Sequence, residues 1–422
     1  MKGITKIQVV VIAIVIIIAA VAGGYYYYYT TTIKAVPSEI KIGYPISLTG
    51  FLSAFYARPM QWLVKEWENE VNAKGGIYLR EYGKKLPVRV IIGDDESSPE
   101  KGVEVTTKLI TRDDVCVLYS NGIMPIVLAE LEVAERYGVP YLANSGYDTP
   151  YLERAKEKPW KYSWFFVMSM EVNVKSFVNL FDKLPSNKVV ALHCIDTSDG
   201  VWAGEAWQKI APPRGYTIIH LGYFPEGTMD FSSYIAKWKE SKPDIIYSGA
   251  PSPFLQELLR QLKKYGYWPK IVIGQMAFFA EDVAGAGDTL GNGVLVPLWW
   301  HHTYPSVSAQ LAEKYMATYN EYYRPNLGNA YACIQVIADA IERAGSLDRD
   351  AINKALSETD LSPTTGTIRF KFDPKTRVCI MPVVAAQWLK GGKYGWHLEV
   401  VYSDYDFVKP TATILYPLPS PF

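Results

Sequence analysis

An unbroken apolar run, VVVIAIVIIIAAVA at residues 9–22, opens the chain, and the pattern then changes to alternation. Short apolar runs, Glu39 to Tyr44, Val88 to Ile92, Val115 to Tyr119 and Val139 to Ala143, read as strands. Between them apolar residues recur every three or four positions, the spacing of one helix face. Met60, Leu63, Val64, Trp67 and Val71 form one such stripe; Val103, Thr106, Leu109 and Ile110 form the next, and Ile126 to Tyr137 a third helix. Pro59 suits a first helical position and Ser98-Pro99-Glu100 opens the second helix, while Gly75-Gly76 and Gly138 act as stops.

A second series repeats the rhythm from about Trp164. Its strands are Lys188 to Cys194, Thr217 to Tyr223, Asp244 to Ser248 and Ile271 to Gly274; its helices are Trp202 to Ile210, Phe231 to Glu240 and Pro253 to Tyr265. Strands alternating with helices predict parallel sheets covered on both faces, so two series in tandem predict an α/β protein of two doubly wound lobes. The last third differs. It predicts helices over 308–323, 329–345 and 349–357, strands near 366–372 and 383–389, and a tail at 405–422, rich in proline and aromatics, without a core of its own.

Composition narrows the function classes. The 422 residues are 49% hydrophobic, enough for a filled core, and 43 basic side chains balance 43 acidic ones. A nucleic-acid binder needs a basic surplus, and this chain has none. Four cysteines, none at CxxC spacing, make neither a disulfide scaffold nor a zinc pattern; Cys116 and Cys194 sit in apolar runs and read as small buried hydrophobes. Aromatics make up 14%, with 31 Tyr and 12 Trp, which predicts aromatic-lined clefts as well as core.

The N-terminus sets the compartment. Ile7 to Tyr29 is long enough to cross a bilayer, Lys2 and Lys6 lie on its cytoplasmic side, and Tyr25 to Tyr29 suit the outer interface. The body from about Ser38 is therefore expected outside the cytoplasm. Ala20-Val21-Ala22 loosely matches a secretory cleavage site. Lys2-Gly3-Ile4-Thr5 followed by the apolar run resembles the class III, prepilin-like signals of archaeal surface proteins, where cleavage after Gly3 leaves the helix as a membrane anchor. An uncleaved anchor places the same body outside the cell.

Ligands of open parallel sheets gather beyond the carboxyl ends of the strands. The turns expected there are Pro45 to Tyr56, Asp94 to Ser98, Ser120 to Pro125, Asn144 to Pro150, Asp196 to Trp202, Gly249 to Pro253 and Gln275 to Phe279, mostly small, hydroxyl-bearing or aromatic. Enzyme motifs fail against the same chain. Gly285-Ala286-Gly287 runs on to Gly291 as GxGxxxG, no phosphate-cradling GxxxxGK[ST] occurs, Ser145 lacks the glycine two places before it, and there is no HExxH. His301-His302 reads as exposed or at a cleft edge, His193 as a satisfied core group, and Asp94-Asp95-Glu96 as a solvated turn. The expectation is a binding protein, not an enzyme, with no metal and no cofactor.

Several segments together carry a family resemblance: KIGYPISLTG (41–50), VRVIIGDDESSPEKGVEVTTKLI (88–110), GVPYLANSG (138–146), TMDFSSYIAKWKESKPDIIYSG (228–249), LRQLKKYGY (259–267) and AIERAGSLDRDAINKAL (340–356). They resemble the periplasmic branched-chain amino acid and amide binding proteins, the type I solute receptors of ABC importers. The resemblance implies two lobes joined by a three-crossover hinge, with lobe 1 at 39–160 and 282–374, lobe 2 at 161–281 and 375–404, and residues 1–38 as anchor and linker. It also implies hinge closure around a solute, with an ABC permease as partner; the ligand expected for this chain is small and amino-acid-like, an amide, or an aromatic or organic acid. A second reading makes the chain a pilin-like filament or receptor-array subunit that self-assembles at the cell surface.

Carried over by position, the ligand site comprises Ser120, Asn121 and Met124 after the third strand, Ser145, Gly146 and Tyr147 after the fourth, and Asp199, Trp202, Ser252 and Met276 in lobe 2. Phe55, Tyr56 and Trp300 add flat apolar surface. Met276 stands where the family places the acid that pairs with a ligand ammonium. Either Asp199 or Asp148 substitutes for it, or the ligand lacks the amine.

Overall fold

The computed structural model describes residues 13–24, 36–287, 289–304, 307–365 and 369–422, the Ser145 side chain excepted. Residues 13–24 form a helix with exposed apolar side chains; the rest of the expected membrane span, 7–12 and 25–29, lies outside the described residues. Among the described residues no helix is long and apolar enough to cross a membrane.

From Ile40 the chain builds two sheets of the same winding. The first has the order Val378–Ile380, Ser163–Met168, Tyr141–Tyr147, Val117–Ser120, Ile40–Ile46, Val88–Asp94, all parallel. The second runs Trp396–Tyr402, Val384–Lys390, Leu295–Leu298, Ile271–Gly274, Ile245–Gly249, Val189–Cys194, Thr217–His220, all in one direction except Val384–Lys390, which is antiparallel to both its neighbours. In each, the first strand of the series lies between the second and the third, so the winding reverses beside it. That reversal opens a crevice at the strand ends. In lobe 1 it falls after Ile40–Ile46 and Val117–Ser120; in lobe 2 it falls after Val189–Cys194 and Ile245–Gly249.

The chain passes between sheets three times, after Met168, after Leu298 and after Ile380. The lobe edges therefore differ from those expected. Ser163–Met168 and Val378–Ile380 belong to the first sheet, and Leu295–Leu298 to the second. These three strands are short and wholly or nearly buried, and such runs have no alternation to assign them to one lobe.

The first long helix, Ser53–Ala73, begins six residues before Pro59, which lies inside it. Proline lacks an N–H, so the carbonyl of Phe55 loses its partner four residues on. The side-chain amide of Asn326 donates to that carbonyl at 3.2 Å, tying this helix to the start of helix Asn326–Ala344. Most of the aromatic surplus goes to the core: ten of the twelve tryptophans are buried. All four cysteines are buried and free. The tail at 405–422 packs onto lobe 2. Gln387 holds the backbone of Leu415 from both sides (2.7 and 3.0 Å), and the Leu418 amide donates to the Lys270 carbonyl at 2.8 Å.

Candidate ligand site between the lobes

The acidic turn expected to be solvated is instead a scaffold. Asp95 is fully buried, accepting from the Ser47 hydroxyl (2.6 Å) and the Ser97 amide (2.8 Å). Asp94 accepts from the amides of Leu48 and Glu96 (2.9 Å each) and from the Thr49 hydroxyl (2.7 Å). Together they pin the 47–52 turn that leads to Phe55. The sequence signal misleads because two of the three acids spend their charge on this neighbouring turn.

Not every expected site residue faces the crevice. Asn121 is consumed within lobe 1: it accepts from the Tyr44 hydroxyl (2.6 Å) and donates to the Asn144 carbonyl (3.0 Å). Ser120 is fully buried, and its hydroxyl bears on the Tyr141–Glu130 pair. Met124 starts helix Met124–Tyr137 with its sulfur against Gly146, where a Cβ would come within 2.5 Å. Gly146 also holds φ at +64°, a backbone conformation that favours glycine. Tyr56 is half-buried against the lobe 1 core. Trp300 is fully buried, donating to the Ser308 hydroxyl (3.0 Å) and packed on Gly328. The His301 ring is likewise interior, contrary to expectation, its nitrogens bonded to the Thr303 hydroxyl (2.7 Å) and the Leu398 carbonyl (2.9 Å). His193 is a core group bonded to the Ser248 hydroxyl (3.1 Å) and stacked on Phe224, with Nε2 lacking a partner.

Others do meet between the lobes. Tyr147 ends a lobe 1 strand yet packs among lobe 2 core residues such as Met170 and Tyr247. Gln275, from lobe 2, donates to the Tyr147 hydroxyl oxygen at 2.9 Å and accepts from the Tyr247 hydroxyl at 3.0 Å. Beside them Asp199 stands in the first turn of helix Ser198–Ile210, at the winding reversal of lobe 2. Burial pushes its carboxyl up to about 6. Burial likewise raises the Tyr147 phenol, with the Asp199 charge adding to it and the Gln275 bond opposing. Asp148 is also raised by burial, but the Ser169 hydroxyl and its own helix N-terminus work against that rise. Gly200 fits the turn tightly, since a Cβ there would lie 2.1 Å from the Ile195 carbonyl oxygen. Trp202 is half-buried on the lobe 2 core. Ser252 donates to the carbonyl of half-buried Met276 at 3.1 Å, and the Met276 thioether is uncharged.

A second contact joins the lobes. The Phe55 ring meets Phe279 at 5.2 Å, and the Arg324 guanidinium lies 4.4 Å over that same ring. Arg324, from lobe 1, pairs with Glu281 of lobe 2 and lies 3.6 Å from Glu321, which also binds Arg58 (3.1 Å). Beside it lies a cavity of about 350 Å³, lined in part by Tyr322, Lys393 and Tyr394. Gln275 and Phe279 were legible as members of a flagged turn. Tyr247, Met170 and Arg324 carried no local signal, because only the fold brings them there. Among the described residues no group of three or more His, Cys, Asp or Glu could hold a metal.

Two lobes, a triple crossover and a polar network bridging the strand ends make up this architecture. Residues 39–393 match the model of the periplasmic binding protein family. The chain belongs to that family. Leu/Ile/Val-binding protein homolog 1 of Brucella abortus is 25% identical over 373 residues, covering 85% of this chain and 93% of that protein. Among solved structures, the branched-chain amino acid transporter substrate binding protein LivJ of Streptococcus pneumoniae, in complex with isoleucine, superposes with TM-score 0.70 at 22% identity, covering 86% of this chain and 99% of LivJ. A solute binding protein of an ABC transporter from Rhodopseudomonas palustris, in complex with 3,4-dihydroxybenzoic acid, gives TM-score 0.69 at 20% identity, with 89% and 99% coverage. As a periplasmic binding protein the chain is a solute-binding protein, not an enzyme.

Proposed function

We propose that this periplasmic binding protein is the extracellular receptor of an ABC importer and closes its lobes on a small amino-acid-like solute. The observation that carries the reading is the bridge from Tyr147 of lobe 1 through Gln275 to Tyr247 of lobe 2, beside Asp199. A solute there touches both lobes, and only the closed state gains both sets of contacts. Phe55, Tyr147, Asp199, Trp202 and Met276 line this site in our reading, Ser145 and Gly146 shape the turn behind Tyr147, and an ABC permease receives the closed form. The apolar N-terminal segment tethers the body outside the cell, and class III processing after Gly3 leaves that tether in place. The helix at 13–24 and its exposed isoleucines and valines support the tether.

Thermal unfolding against a library of amino acids, amides and aromatic acids tests the reading. A true ligand at a hundred times its Kd stabilises by about 2.7 kcal/mol and is recovered unchanged. A library that leaves the unfolding temperature untouched, or a solute consumed by the protein, overturns it.

A further inference from the structure

The base of lobe 1 carries an unbalanced charge. Over the whole chain 43 basic side chains match 43 acidic ones, yet Lys74, Arg80, Lys84 and Lys85 stand close together in sequence beside a single acid, Glu81. They surround a hairpin in which Ile77–Leu79 pairs with Lys84–Leu86. Ile77, Leu79 and Leu86 are buried in the lobe 1 core, which leaves Tyr78 and Lys85, opposite each other in the register, on the outer face. The four cations are exposed, and so is Tyr78, at 42%. Elsewhere Lys65, Lys101, Lys209 and Lys270 each pair with an acid. These four form no ion pair among the described residues. Lys85 donates to the Lys74 carbonyl at 3.0 Å and Arg80 to the Ala344 carbonyl at 3.5 Å, while Glu81 is turned to the Ser346 hydroxyl (2.7 Å). Pro87, next after the hairpin, accepts from the Ile40 amide at 2.8 Å. The patch therefore lies at the amino ends of the strands, where the chain enters the body, and the crevice lies at their carboxyl ends.

We infer that this hairpin docks on an anionic bilayer surface, with Lys74, Arg80, Lys84 and Lys85 against the lipid phosphates and the Tyr78 ring at the headgroup level. The inference goes beyond the receptor reading proposed above and rests on its tether, which brings the bilayer to the end of the body that holds the hairpin. Tyrosine, with an apolar ring and a polar tip, suits that level, and each basic group beside an anionic surface strengthens binding about fivefold. Docked in this way, the receptor keeps its crevice turned to the solution.

The test uses the full chain with Ala73→Cys, an exposed position next to Lys74, carrying an environment-sensitive dye; the native cysteines stay buried from the label. It is reconstituted with vesicles of phosphatidylcholine alone or mixed equally with phosphatidylglycerol. Flotation reads the tether and the dye reads the hairpin. The protein floats with both kinds of vesicle, and its emission shifts to the blue only with the anionic ones. Salt at about 1 M, where the Debye length is about 3 Å, reverses the shift. Lys74→Gln/Lys84→Gln lowers the ratio of docked to undocked hairpin about twenty-fivefold, Lys74→Arg/Lys84→Arg keeps it, and both melt with the parent protein. A dye signal that ignores lipid charge, or a glutamine variant that docks like the parent, overturns the inference and leaves the tether standing. Flotation with anionic vesicles alone, lost in the glutamine variant, removes the tether and keeps the docking surface. Flotation with neither removes both.

Discussion

Replacing Glu130 by glutamine removes one titratable group and changes little of the shape of lobe 1. Glu130 lies on helix Met124–Tyr137, fully buried, with the Tyr141 hydroxyl donating to Oε2 and no partner on Oε1. Burial pushes its carboxyl up to about 8; Asp95 raises it further, and the bond from Tyr141 and the nearby Ser120 hydroxyl hold it back. An ordinary glutamate titrates near 4.5. The folded value is the higher one, so the stabilising contribution is complete below the unfolded value and is lost as pH rises through the folded one. At about 1.4 kcal/mol per pH unit the full loss is ~5 kcal/mol, a large share of the stability of a typical domain. Glutamine reproduces the neutral acid, keeping an acceptor for Tyr141 and a donor on the other atom. Urea unfolding followed by tryptophan fluorescence at pH 5 and pH 8 reads the difference. The wild type should lose about 3 to 4 kcal/mol relative to Glu130→Gln over that interval. Parallel stability curves for the two proteins, or a wild type that gains on the variant as pH rises, would refute the argument.

Three further substitutions probe the frame. Tyr147→Phe strands the Nε2 of Gln275, which is only 1% exposed, and should cost about 1–3 kcal/mol in urea unfolding, with solute affinity reduced as well. Arg324→Gln breaks the pair with Glu281 and the stack on Phe279, so the unliganded protein should scatter as a more open particle and lose about 1–3 kcal/mol. Gly328→Ala places a Cβ 2.1 Å from the Trp300 indole and should lower stability by about 1–3 kcal/mol or more, measured by thermal unfolding.

Periodicity carried the two doubly wound lobes because most strands are separated by helices with clear apolar stripes. It failed where an element is short, apolar and buried on both sides, as at Leu295–Leu298 and Val378–Ile380. Hydrophobic runs of that kind look alike in either lobe, and the crossovers had to be seen. Pro59 misled for a different reason: Asn326, far along the chain, repairs the bond that proline removes. In the site, turns at strand ends pointed to Tyr147, Asp199 and the 275–279 segment. Whether a flagged residue faces the crevice or the core was not legible, since Ser120 and Tyr147 lie at equivalent strand ends and point to different surroundings. Trp300 failed similarly, because tryptophan here is overwhelmingly a core residue.

Reversible closure of the lobes is the central claim, and an interlobe distance tests it most directly. Glu104→Cys on helix Pro99–Thr111 and Lys237→Cys on helix Ser232–Ser241 place one exposed thiol on each lobe, while the native cysteines stay buried from a spin label. Pulsed electron spin resonance is recorded on the free protein, with saturating leucinamide, and after dialysis. Closure predicts a shorter, narrower distance distribution with the solute and return of the original one when it is removed. A distribution unchanged by a solute that calorimetry shows to be bound would contradict the account.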